Sequence, residues 1–164
     1  MKLYLRQKVF SWGASFAVKN EAGDDYCTVK GEVFTIGRRL HVFDTTGSEI
    51  AYIEQQAWSW RPTFNIQIDG RAVCRVIKDF KPFTPTYHLE GLPWRMKGNF
   101  LGHDYSLHAG DEQIMRLTKQ WFTWGDSYEL DIADADDALV CLCIALAVDA
   151  VLDRRRKAAA AAAR

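Results

Sequence analysis

Three side chains in the stretch GHDYSLH (Gly102–His108) are of types that bind metals or move protons: His103, Asp104 and His108. A strand starting at Tyr105 would send His108 and Tyr105 to opposite faces, with His103 left in the preceding turn. The three then diverge, so solvated loop groups rather than a metal site are expected. No H-E-x-x-H, G-x-S-x-G, Walker or C-x-x-C pattern occurs, and no paired carboxylates stand in an evident pocket. The sequence therefore assigns no catalytic residue, metal or cofactor. Cys27, Cys74, Cys141 and Cys143 lie inside apolar runs. On a helix, Cys141 and Cys143 would point roughly 200° apart and could not bridge each other. Buried, reduced thiols are the expectation.

The remaining candidate chemistry is electrostatic. In GRAVCRVIKDFKPF (Gly70–Phe83), strand alternation puts Ala72, Cys74 and Val76 on one face and Arg71, Val73, Arg75 and Ile77 on the other. If the first set faces the core, Arg71 and Arg75 face water. Lys78 and Lys81 follow in a loop interleaved with Phe80 and Phe83. Cations beside exposed rings can grip an anionic headgroup while the rings dip into a membrane interface. Arg38 and Arg39, in the TIGRRL turn, form a second, weaker candidate. The tryptophan-rich turns Trp58–Trp60 and Trp121–Trp124 read as structural corner pieces. Two functions follow: a non-enzymatic module binding an anionic phospholipid surface, or a protein–protein scaffold whose aromatic turns anchor a partner.

These groups need a frame, and the chain spells one out. With 164 residues, 21 basic and 21 acidic, it has no net field to draw it to nucleic acid or an anionic membrane, which leaves only a local patch. From Lys2 to Ile132, short apolar alternations are separated by turn signals, clearest at Asp69-Gly70, giving about twelve strands. Ser48–Ile66 can be laid on Glu112–Leu130 without a gap, matching Ile53 with Leu117, Trp60 with Trp124 and Ile66 with Leu130. This predicts two related halves. One long helix follows. Ala138–Val148 is apolar on every face, so it must be surrounded. Its eleven residues span about 16 Å, short of a bilayer's ~30 Å, which predicts a helix buried in protein. A domain over 1–157 with an alanine-rich tail over 158–164 is expected. The opening MKLYLRQKVF lacks the apolar core of a secretory signal, pointing to the cytoplasm, with any membrane contact peripheral.

A dozen strands in two halves, then a wholly apolar helix, resembles the tubby-like fold: a closed antiparallel barrel around a central C-terminal helix. Within it the chain is most similar to the LURP-one-related (YxjI-like) family. The stretches LYLRQKVFSWGASFAVKNEAG, YCTVKGE, LHVFDTTGSEIAYIEQQ, WRPTFNIQIDG and LVCLCIALAVDAVLD carry the likeness in order. The resemblance implies the fold but no catalytic residue. Tubby, in the wider fold, binds phosphoinositides, yet its basic site residues cannot be matched position by position onto this chain. A shared fold does not transfer a function.

Overall fold

The computed structural model describes residues 1–6, 15–32, 36–81, 83–122 and 125–164. The strands are β1 (Lys2–Arg6), β2 (Ser15–Asn20), β3 (Asp25–Gly31), β4 (Arg39–Phe43), β5 (Glu49–Gln55) and β6 (Thr63–Ile68). They continue as β7 (Arg71–Lys78), β8 (Tyr87–Glu90), β9 (Trp94–Asn99), β10 (Asp104–Ala109), β11 (Glu112–Phe122) and β12 (Gly125–Ile132). A 3₁₀ turn (Ala135–Asp137) leads into the helix α1 (Ala138–Ala162).

Every strand pairs antiparallel with its sequence neighbours except across β8 and β9, and β1 also pairs β12, with Leu3 opposite Leu130. A meander that joins its first strand to its last is a barrel. The expected closed barrel is thus closed but for one seam between β8 and β9. Rings fill that seam: Tyr87 meets Phe100 edge-on at 4.9 Å between centroids, and Phe100 meets Tyr105 at 4.9 Å. At Gly98 a Cβ would stand only 2.6 Å from the Asp104 carbonyl oxygen, so glycine lets β9 lie close against β10.

Alternation determines what faces inward. Leu3 and Leu5, Cys27 and Val29, Leu40 and Val42, Ala51 and Ile53, Phe64 and Ile66, and Tyr105 and Leu107 all join one core with α1. Every residue of α1 from Val140 to Leu152 is buried. A helix enclosed by strands on all sides has no wet face, hence no amphipathic stripe. Among the described residues, no helix is long and apolar enough to cross a membrane. Asp134 accepts a hydrogen bond from the Asp136 amide at 3.0 Å, and Asp136 and Asp137 place negative charge at the helix's positive start. Beyond the barrel the helix runs on through the alanines to Ala162.

The internal echo is structural in these hairpins. Ile53 pairs with Ile66 as Leu117 pairs with Leu130, and Ala51 with Ile68 as Met115 with Ile132. The copies part beyond Gln55 and Lys119. The first leaves the ladder for a seven-residue connection, whereas β11 and β12 stay paired to Phe122 and Gly125. Trp124, the predicted match of Trp60, lies outside the described residues.

The two ends of the barrel differ. Five tight connections at one end each carry a glycine in the left-handed region: Gly23, Gly47, Gly70, Gly91 and Gly110. Asp69 (φ 49°) and Gly70 (φ 72°) are both left-handed, the two-residue turn that Asp-Gly predicts. At the other end, the mouth, α1 emerges beside the longer β5–β6 and β7–β8 connections. Because α1 holds the core together, Leu142→Ala should lower unfolding free energy by about 2–5 kcal/mol in urea titrations. Leu139→Ala, at a half-buried position on the same helix, should cost well under half of that.

Candidate functional site

β6 and β7 are neighbours, so the connections at their mouth ends lie side by side. The Lys78 amide bonds to the Pro62 carbonyl at 2.9 Å, and the Arg61 guanidinium lies 6.0 Å over the Phe80 ring. Four large rings project from these two connections into water: Trp58 and Trp60 are 91% and 96% exposed, Phe80 and Phe83 74% and 88%. Trp58 and Trp60, expected as structural corner pieces, thus stand in water rather than packing into a corner. The first-copy connection flares away from the ladder and carries its rings outward.

Between the β5–β6 connection and the emerging helix lies a cleft of about 380 Å³. Lys78, Arg154 and Arg155 line it with Gln55, Ser59 and Trp60, while Val151 and Ala158 form its helical wall. None of the three cations makes an ion pair among the described residues. Lys78 is the last residue of β7 rather than part of a loop. Alternation with Cys74 and Val76 turns it to the inner side of the sheet, which at the mouth is the cleft. Arg154 and Arg155 reach the cleft because α1 continues past the barrel instead of ending at its rim.

The six cations singled out from sequence do not form one patch. Arg71 is exposed at the tight-turn end, about 23 Å from Lys78 at ~3.3 Å per strand residue. Arg75 pairs with Glu90 across β7 and β8. Arg39 bonds Glu54 at 3.1 Å and Glu32 at 3.4 Å on the barrel wall. Arg38 is a clamp: it donates to the Ala150 carbonyl and to Asp153 at 3.1 Å, fastening the last buried turn of α1. Lys81 is exposed beside Phe80 and Phe83. Of the six, only Lys78 and Lys81 belong to the mouth as cations without an ion pair among the described residues. The alternation expected for β7 also breaks. Val73 is the extra residue of a bulge, leaving Ala72 exposed, while Ile77 is buried at 4% exposure although it points away from the main core.

His103, Asp104 and His108 separate, and among the described residues no three His, Cys, Asp or Glu side chains gather around an ion. Asp104 pairs with Arg116 at 3.1 Å, and His108 shares a hydrogen bond with Ser106 at 2.8 Å. His103 is not a solvated loop group: it is 8% exposed, with a left-handed backbone (φ 52°), inside the mouth. Its Nδ1 lies 3.9 Å from Asp149 of α1, and its ring stands 4.7 Å from Tyr128. Burial pushes the imidazole down to about 4, with Arg156 and Lys119 adding to the effect, so it is neutral at pH 7. All four cysteines are buried and unbridged. Burial pushes the thiols of Cys27, Cys74 and Cys141 up to about 12, which makes them packing groups rather than nucleophiles.

Comparison with known proteins adds the family. The LURP-one-related family model matches residues 1–149. The chain belongs to the LURP-one-related family. It is 34% identical over 152 residues to the uncharacterised protein YxjI of Bacillus subtilis (strain 168), covering 93% of this chain and 94% of that one. The crystal structure of an Arabidopsis thaliana protein, AT5G01750, shares the fold at a TM-score of 0.59 and 15% identity, covering 91% of this chain and 90% of that one.

The family's barrel makes the clamp and the wall pairs separable by experiment. Arg38→Ala removes a hydrogen bond to a mostly buried helix carbonyl and one of the two cations that hold Asp153, and should cost about 2–3 kcal/mol in urea unfolding. Arg75→Ala, which removes a half-exposed pair on the wall, should change stability by less than about 1 kcal/mol.

Proposed function

We propose that the protein is a non-enzymatic module that docks on anionic phospholipid surfaces through the mouth of its barrel. One observation carries this reading: four exposed rings on adjacent connections flank a cleft lined by three cations that make no ion pair among the described residues. Tryptophan and phenylalanine gain by entering the headgroup boundary, where indole keeps its N–H wet. Each lysine or arginine near an anionic surface contributes about 1 kcal/mol, and Arg61, Lys78, Lys81, Arg154 and Arg155 share this end. The cleft supports binding over catalysis. Among the described residues the polar side chains of its lining are cations, amides and Ser59, whose hydroxyl bonds Thr63 at 3.2 Å with no histidine or carboxylate among the lining residues. We read the protein as peripheral and cytoplasmic, in keeping with four unbridged thiols. The same rings could anchor a protein partner, the competing reading; cations interleaved with them favour lipid.

Co-sedimentation with vesicles decides between these readings. The protein should pellet with phosphatidylcholine–phosphatidylglycerol vesicles, not with phosphatidylcholine alone, and less as salt rises. Lys78→Glu with Arg154→Glu should weaken binding at least about tenfold, by the per-charge value above. Trp60→Ala with Phe83→Ala should weaken it without changing its salt dependence, and Arg71→Glu should leave it unchanged. No binding to anionic vesicles at low salt discards lipid docking.

A further inference from the structure

We infer that Asp149 and Arg156 form a latch at the mouth, released when Asp149 takes up a proton, which frees a cation for the anionic-surface site. This regulation rests on the docking function proposed above, but the latch itself stands on separate geometry.

Asp149 is the one charged residue in the buried stretch Ala138–Leu152. Its side chain is 7% exposed, and neither carboxylate oxygen has a hydrogen-bond partner among the described residues. A carboxylate so placed needs a counter-charge or a proton. Each packed element brings a group toward it. The β9–β10 connection brings His103 to 3.9 Å, and Tyr105 of β10 and Tyr128 of β12 share with it a cavity of about 10 Å³. Tyr87 of β8 and Arg38, just before β4, lie within electrostatic reach. Its own helix adds Asp153 and, two turns on, Arg156, whose guanidinium reaches back to 3.7 Å.

Few of these can answer a change in its charge. Arg38 is held by the Ala150 carbonyl and Asp153. His103 is neutral above about pH 4. The tyrosines carry no charge at neutral pH. Arg156 is different: its side chain is 49% exposed and can swing into water. Burial lifts the Asp149 carboxyl to about 7, against the pull of Arg156 and Arg38 and with help from Asp153. Above that point the charged carboxylate draws Arg156 back over the mouth. Below it the attraction is gone, and Arg156 joins Arg154 and Arg155 at the surface. One added cation near an anionic surface corresponds to roughly fivefold in affinity.

The sign for stability follows. The fold raises the Asp149 pKa, so its contribution is full below the ordinary carboxylate value near 4 and is lost as pH rises from there through about 7. The fold lowers the His103 pKa, so its contribution is lost as pH falls from the ordinary histidine value through about 4. Asp149→Asn should therefore raise the melting temperature most at pH 8, and by progressively less as the pH falls from 7 toward 4.

Two measurements test the latch. Carboxyl carbon NMR of the lipid-free protein should give Asp149 a midpoint near 7, moved higher in Arg156→Gln; a midpoint near 4, or no response to that substitution, overturns it. The second is affinity for vesicles of equal phosphatidylcholine and phosphatidylglycerol, whose charge is constant from pH 6 to 8. Wild type should bind roughly fivefold tighter at pH 6 than at pH 8. Asp149→Asn should bind at pH 8 as wild type does at pH 6, with most of the pH dependence gone. His41 serves as control: burial pulls its pKa down, but hydrogen bonds with Glu32 and Glu49 raise it above its ordinary value. His41→Gln should keep most of the wild-type slope. An Asp149→Asn protein with the full wild-type slope sinks the gating. Absence of vesicle binding at every pH removes the docking function and the gating with it, while the NMR midpoint still judges the Asp149–Arg156 pair.

Discussion

A helix that is apolar on every face can be stable in water only if something surrounds it. That requirement shapes this molecule. α1 offers no side to solvent from Val140 to Leu152, so a sandwich of two layers would leave part of it wet. A sheet curled fully round it does not. The helix suits the enclosure in turn. Cys141, Cys143, Ala145, Ala147 and Ala150 keep the cylinder narrow, while Leu142, Ile144 and Leu146 fill the space between it and the inward rows of the strands. Where the ladder fails between β8 and β9, Tyr87, Phe100 and Tyr105 supply the missing wall.

Threading a helix through a barrel makes the ends unlike. Tight glycine turns and the acidic start of α1 occupy one end. At the other the helix must leave, and the leaving helix brings charge to a rim where connections are longer. The mouth is also where burial ends, so polar groups there are neither fully dry nor fully wet. Asp149 and His103 sit just inside that boundary, and Arg154 and Arg155 just outside it. A buried carboxylate and a mobile guanidinium can meet there because the helix crosses the boundary within two turns.

Much of the frame was legible because it is periodic. Alternation marks the strands, Asp69-Gly70 marks a hairpin, and the offset between Ile53 and Leu117 reappears as the same pairing register in both hairpins. The site was less legible, since it depends on which way residues point after alternation ends. Lys78 read as a loop cation until the strand proved to reach it and turn it inward. Trp58 and Trp60 looked like copies of a second corner, but the first connection leaves its ladder early. Arg154 and Arg155 are charges that suit the negative end of any helix, and that pattern reveals no cleft beside them. His103 looked solvated because nothing local says that a turn is tucked under the mouth. One signal was available: Asp149 is the lone charge within the otherwise apolar stretch Ala138–Leu152, a position that calls for a partner or a role.

Formal neutrality also hides how charge is arranged. On the barrel wall, cations sit beside anions on neighbouring strands: Lys2 with Glu129, Lys19 with Asp25, Arg39 with Glu32 and Glu54, Arg75 with Glu90, and Arg116 with Asp104. Such pairs add little stability, but they cancel the field of the wall at short range. At the mouth the balance is different. Asp153 is shared by Arg38 and Lys157, and Asp149 is held inside, so among the described residues Lys78, Arg154 and Arg155 pair with no carboxylate. A chain with no net charge can thus present a positive end, and an anionic surface meeting it from that side encounters local charge rather than the sum. The rings on the same rim give that encounter a second, salt-independent component, because burying aromatic surface does not depend on ionic screening. Charge that is paired along the wall and, among the described residues, unpaired at the mouth makes orientation, rather than net charge, the physical variable for the proposed docking.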